Sequence, residues 1–283
     1  MRWLLLALTL GCAPAHKGKD TMPSDLASRV QARKAAWLLE LKTSATDQAT
    51  GWPAASDCDQ TLFAGEARAA GAAIDLRLAE YNSGEIHRRP LSLGECYPTE
   101  SASTVSNDML VGYILGSWEA RDDGALARLA EYGEVHNWVM GAPLSEPRVV
   151  LSPSGQGLLG RAIEKLGGPA KSYSILPQAC LPVAADYEQH LQTLGIILGG
   201  QISGGISSLC LDMLKANAEG SPKDALFQAA FGVYNADQGP ALSLLSEDGY
   251  QCPSYVRPAA SYCLVHRLFA ATTALRGLSE STP

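Results

Sequence analysis

Met109-Leu110-Val111-Gly112-Tyr113-Ile114-Leu115 presents no charged side chain on any face, inside a helical stretch running from Thr104 to Glu119. A helix that is apolar all round must be buried on every side. Just downstream, Asp122-Asp123 opens a partner whose apolar stripe is Leu126, Leu129, Ala130, Gly133, His136 and Met140, at the helical period. One helix is fully buried and the next is amphipathic. The pair predicts helical hairpins stacked in two layers, inner helices surrounded by outer ones.

The rest of the chain follows the same alphabet. Ser24 to about Lys42 carries Leu26, Val30, Ala35, Trp37, Leu38 and Leu41 among charges, an amphipathic helix. Asp59 precedes a small-residue helix, Thr61 to Ala67, in the position of an N-cap. Ser152-Pro153 opens a further helix, with proline suited to its first position, and Gly167-Gly168-Pro169 closes it. Unbroken, Asp186 to Ala218 would make a helix about 50 Å long, so a break is expected at Gly199-Gly200 or Gly204-Gly205. The apolar run 194–211 is the one internal candidate for a membrane span, and Gln201 and its serines argue against it. Ser221-Pro222-Lys223-Asp224 reads as a capping box, with Asp224 serving the start of a helix from Ala225 to Tyr234. Helices around Ala241–Leu245 and from Tyr262 to Leu278 complete the set. Two long segments, 81–102 and 169–183, read as irregular loops. No clean two-residue alternation occurs, so strands are not expected and the fold class is all-α.

The first residues give an address. Arg2 precedes the apolar run Trp3-Leu4-Leu5-Leu6-Ala7-Leu8, which ends at Gly11-Cys12 and turns polar. That run is far shorter than the roughly 18–20 residues needed to span a bilayer, so it reads as a secretory signal. Cys12 directly after Gly11 resembles the lipobox of bacterial lipoproteins, with Thr9 and Leu10 departing from the preferred residues. The resemblance implies a signal peptide over 1–11, a lipidated Cys12 with a polar tether over 12–22, and a single all-helical domain over 23–283. It also implies a membrane anchor facing the periplasm or cell surface. Cleavage after Ala13-Pro14-Ala15 would instead discard Cys12 and leave a soluble periplasmic or secreted protein.

Six cysteines remain once Cys12 is set aside: Cys58, Cys96, Cys180, Cys210, Cys252 and Cys263. An even number suits disulfides in an oxidising compartment, and sequential pairing (58–96, 180–210, 252–263) closes the shortest loops. Their spacing does not resemble a zinc site, and no phosphate-loop, dinucleotide or metalloprotease motif occurs, so neither a metal nor a cofactor is expected. The net charge of −7, without any Lys/Arg block, argues against nucleic acid as a partner.

The layered pattern, above all Asn107 to Gly112 and Tyr132 to Gly141, resembles the (α/α) toroids used by many glycoside hydrolases and polysaccharide lyases. That resemblance implies an incomplete, disulfide-stapled (α/α) toroid or barrel and brings no catalytic motif with it. In such a body the inner-helix ends form a funnel, where acids at helix starts can converge. Asp57 and Asp59, Asp108 and Asp186 are the candidates; two flanking a glycosidic bond serve as acid and as base or nucleophile. Capping is the bland role for Asp59 and Asp186. Asp108 stands apart, because it lies in an otherwise apolar helix and needs a partner if buried. Asp186 and His190 fall on one helix face and can share a proton or metal. His136, on its apolar stripe, reads as a hydrogen-bonded core residue or a ligand contact. Arg88 and Arg89 in the first long loop suit an anionic group such as a uronate, and Trp138 and Tyr187 offer stacking faces to sugars. The expectation is an exported envelope protein binding a glycan or envelope polymer. A glycoside hydrolase or lyase with paired carboxylates, and a structural or protein-interaction module, are the alternatives.

Overall fold

The computed structural model describes residues 24–55, 57–94, 105–141, 149–171, 173, 180, 183–257 and 259–280. The proposed signal, Cys12 and Cys96 lie outside these residues. Among the described residues ten α-helices run in chain order: α1 (Ser24–Ser44), α2 (Gln60–Ala69), α3 (Asn107–Glu119), α4 (Asp123–Val135), α5 (Pro153–Lys165), α6 (Asp186–Ser203), α7 (Ser208–Gly220), α8 (Ala225–Asn235), α9 (Gly239–Ser246) and α10 (Ala260–Glu280). The molecule is mainly α-helical, as its pattern of apolar residues requires. The single sheet among the described residues is a short antiparallel hairpin, β1 (Glu80–Asn82) with β2 (Glu85–Ile86), inside the segment expected to be irregular. Its turn glycine, Gly84, has φ +78°, and a Cβ there would lie 2.0 Å from the Arg128 carbonyl oxygen of α4. Glu80 accepts two bonds from the Arg128 guanidinium and one from Tyr113 of α3, which fastens the hairpin to both helices.

Five helices close an inner ring: α2 packs on α3, α3 on α6, α6 on α8, α8 on α10, and α10 back on α2. The other five cover it. Helix α1 lies over α10 and α9, α4 over α3, α5 over α6, α7 over α8, and α9 over α8. This is a barrel-like two-layer arrangement with one contiguous apolar core. Helix α3 is buried along Met109, Leu110, Tyr113, Ile114 and Leu115, as its sequence demanded. Each such fully buried side chain contributes about 1.5–3 kcal/mol relative to exposure. Gly112 explains itself at the α2–α3 crossing: a Cβ there would meet the Leu62 backbone at 2.5 Å, so only glycine allows the two helices to approach this closely.

The N-terminal ends of the inner helices share one mouth of the ring. Asp108 in the first turn of α3 meets Tyr187 in the first turn of α6. Tyr262 in the first turn of α10 stacks on Phe63 near the start of α2. At the opposite end, Arg276 late in α10 makes a two-pronged ion pair with Glu119, the last residue of α3. These inner helices therefore run parallel.

Capping accounts for several helix starts. Asp122 bonds the Ala125 N–H, Ser152 that of Gly155, Ser207 that of Cys210, and Asp224 those of Leu226 and Phe227. Asp224 is itself the N-cap of α8, so Pro222 lies outside the helix rather than at its first position. The long segment after Asp186 breaks at Gly204, which has φ +79°, and not at Gly199-Gly200. Gly200 remains inside α6 because the Tyr234 hydroxyl occupies the space where a side chain would go. Helix α4 stops at Val135, earlier than its stripe suggested, where Asn137 and Trp138 enter the left-handed region.

Disulfides join Cys180 to Cys210 and Cys252 to Cys263, the sequential pairing. Cys58 is also disulfide-bonded. The bonds point to an oxidising, non-cytoplasmic compartment. Among the described residues no helix is long and apolar enough to cross a membrane.

Candidate active site

Ring closure gathers polar side chains from all five inner helices at the mouth and just beneath it. Asp59 holds the N-cap position of α2 yet makes no capping bond with its side chain. Asp108, in the first turn of α3, is almost fully buried, and its Oδ2 accepts a hydrogen bond from the Tyr187 hydroxyl at 2.5 Å. The same hydroxyl lies near enough to Asp59 to pull its carboxyl down. Two carboxylates thus lie around one phenol, close enough for the charge of Asp108 to raise the Asp59 carboxyl. Arg88 faces Asp59 at 3.7 Å. The loop carrying Arg88 is pinned to the start of α2, where Thr61 donates its N–H to the Arg88 carbonyl and its hydroxyl to that of His87.

This environment separates the protonation behaviour of the groups. Burial, followed by the charges of Asp108 and Asp57, pushes the Asp59 carboxyl up to about 6, against the opposing pull of Arg88 and Tyr187. Burial, with the same two acids Asp108 and Asp59, raises the Tyr187 hydroxyl far above the usual phenol range. At neutral pH Tyr187 keeps its proton, while Asp59 is protonated in about one molecule in ten.

Beneath the mouth lies a second polar layer. Glu66 and His190 are fully buried, with Oε1 and Nε2 3.0 Å apart, and His266 Nε2 lies 3.4 Å from Asp224 Oδ1. Distance alone makes these ion pairs. The Glu66 oxygens and the nitrogens of both imidazoles lack the alignment of a hydrogen bond. Tyr255 donates to Asp224 Oδ2 at 2.6 Å and lies with its ring 4.9 Å from that of His190. Burial raises the Asp224 carboxyl, but His266, Tyr255 and His190 outweigh it and hold the group below the ordinary carboxylate range. Among the described residues, no three His, Cys, Asp or Glu side chains converge as metal ligands.

Of the residues singled out from sequence, Asp57, Asp59, Asp108, Tyr187, Arg88 and His190 come together. The others do not. Asp186 is exposed in the first turn of α6, where its charge complements the helix dipole; buried His190 pairs with Glu66 instead. His136 is exposed at the C-terminal cap of α4 and contacts the Tyr132 carbonyl, because α4 ends before it can reach the core. Trp138 packs over Gly133 and against Tyr173. Arg89 bonds the Gly94 carbonyl within its own loop. Glu66, Asp224, Tyr255, Tyr262 and His266 were not foreseen. Their signal was a polar residue at a buried helical position, as with Glu66 between Leu62, Phe63 and Ala67.

Known proteins supply no precedent. No family model, curated protein or solved structure matches the chain. The geometry alone carries the functional reading.

Proposed function

We propose that this is an exported glycan-processing hydrolase whose site is the Asp59–Tyr187–Asp108 cluster at the mouth of the inner ring. The observation that carries the proposal is that Asp59, free of helix capping, and Asp108, bonded to the Tyr187 phenol, lie side by side at the mouth. Neighbouring acids of this kind suit a retaining mechanism, in which they act directly on the two sides of a glycosidic bond. Asp59, raised to about 6, is suited to give a proton to the departing sugar oxygen. An Asp108 oxygen then forms a bond to the anomeric carbon as that carbon–oxygen bond breaks. Water next cleaves the glycosyl ester, giving its proton to Asp59 and returning Asp108 as carboxylate. Tyr187 orients Asp108 and keeps its own proton, which disfavours the lyase alternative that would require a tyrosinate base.

Charge narrows the substrate. Asp57, Asp59, Asp108, Glu66 and Asp224 outnumber Arg88 around the site, so a neutral or amino-sugar glycan fits better than a uronate. For Arg88, holding Asp59 replaces the earlier expectation of a substrate carboxylate. Anchoring through a lipid on Cys12 belongs to the same proposal, and labelling with a palmitate analogue tests it: an unlabelled Cys12 removes the anchor and leaves the site intact.

The decisive experiment is a panel of neutral, amino and acidic glycans, read for both binding and turnover with the wild-type chain, Asp59→Asn and Asp108→Asn. Turnover lost in both variants, with binding retained, is the expected result. Binding without turnover in the wild type would reduce the protein to a glycan receptor, and neither activity would overturn the assignment.

A further inference from the structure

A cavity of about 450 Å³ opens on the flank of the barrel, where α5 and α7 leave a gap in the outer layer above α3 and α6. Its volume lies within the range of small-molecule sites, and its position is separate from the carboxylates at the mouth. Leu110, Val111 and Ile114 of α3, Leu158 of α5, Leu198 of α6 and Ile206 supply apolar walls. Among the described residues one charged side chain borders it, Arg161 of α5. Among the described residues Arg161 meets no carboxylate within ion-pair distance; its one bond is a long 3.4 Å contact to the Ser203 hydroxyl. A guanidinium left unpaired beside an apolar cavity, in a chain of net charge −7, calls for an anion from outside.

We propose that this cavity binds a single-chain amphipathic anion, with its hydrocarbon tail between α3, α5 and α6 and its acidic head on Arg161. The apolar walls alone would accept any hydrocarbon, and the cation selects the charged head. A carboxylate and a phosphate both answer that description, so a free fatty acid and a lysophospholipid share the chemistry. The site goes beyond the proposed hydrolase and stands or falls without it.

Displacement of cis-parinarate from the purified chain by palmitate, palmitoyl-lysophosphatidylglycerol and hexadecanol tests the assignment. At least one anion is expected to compete about tenfold better than the uncharged alcohol. Preference for palmitate identifies a free acid, and preference for the lysophospholipid identifies a lipid headgroup. Arg161→Gln, at a half-exposed position, is expected to erase the advantage over hexadecanol, while Leu158→Trp, which fills the cavity, abolishes binding of all three. Equal competition by acid and alcohol in the wild type, or undiminished binding in folded Leu158→Trp, overturns the proposal. So does absence of binding with capture of an apolar peptide instead. Circular dichroism of each variant separates a lost site from a lost fold, and Arg161→Gln remains decisive if the tryptophan variant does not fold.

Discussion

Tyr187 and Asp108 stand 79 residues apart in the chain and 2.5 Å apart through a hydroxyl–carboxylate bond. Each sits in the first turn of its own inner helix, so the bond exists because the ring closes with those helices parallel. Asp59 completes the cluster from a third helix start. Positive helix ends favour acids at this mouth, and burial together with mutual repulsion keeps one of them available as a proton donor.

Replacing Tyr187 with Phe removes the hydroxyl that bonds Asp108 and lowers the Asp59 carboxyl. Turnover on the glycan identified by the panel should fall about 10- to 100-fold, with KM much less affected, because positioning of Asp108 is lost rather than binding. The hydroxyl lowers the Asp59 pKa, so the alkaline limb of the kcat–pH profile should move to higher pH. A parallel fall in kcat with an unmoved profile would show that Tyr187 does not act on Asp59.

Asp59 should also make the fold more stable in mild acid than at neutrality. Its folded pKa of about 6 lies above the ordinary value of 3.8, so between those limits the folded state binds more protons than the unfolded one. This burden is present in full above pH 6 and is relieved as pH falls through 6 toward 4. Asp59→Asn should therefore stabilise the chain by about 1–2 kcal/mol at pH 7, discounted for its partial exposure, and by less at pH 5. Urea unfolding at both pH values checks it; an equal effect at both would mean that Asp59 is not perturbed.

How much of this was visible in the chain depends on the range of the contacts involved. The burial of α3 and the anomaly of Asp108 are local, written in one apolar run interrupted by one acid. The Cys180–Cys210 and Cys252–Cys263 pairs were legible because short loops close most readily. The assembly of Asp108 with Asp59 and Tyr187 was not, since it depends on which helix ends face the same mouth. Asp59 sat in a capping position, and only the folded loop shows its side chain turned elsewhere. His136 misled because nothing in Asn137-Trp138 announces a left-handed turn without glycine. Asp224 looked like a cap and is one, but ring closure adds His266 and Tyr255 as partners.

That double role makes Asp224 a strong structural test. Asp224→Ala removes the cap of α8 and leaves His266 and the Tyr255 hydroxyl without their partner, so a loss of about 3–5 kcal/mol is expected at pH 7. Because its folded pKa is depressed, the contribution from ionisation is present above the unfolded carboxylate pKa and is lost as pH falls through the folded value. The gap between wild type and variant should narrow in strong acid. A constant gap would assign the whole effect to packing and capping.

Gly112→Ala tests the α2–α3 crossing. The added Cβ would lie 2.5 Å from the Leu62 Cα, a backbone atom that moves only if the two helices separate. Overpacking of this kind costs about 1–3 kcal/mol, more than the gain in helix propensity from replacing an interior glycine. Separation of these helices would also move Asp108 relative to Asp59, because each lies at the start of one of them. The variant should lower both the thermal midpoint and, at temperatures where it remains folded, kcat on the panel substrate. Unchanged stability would mean that α2 and α3 do not pack at this distance. A stability loss with undiminished kcat would separate the crossing from the site and show that the placing of Asp59 and Asp108 does not depend on it.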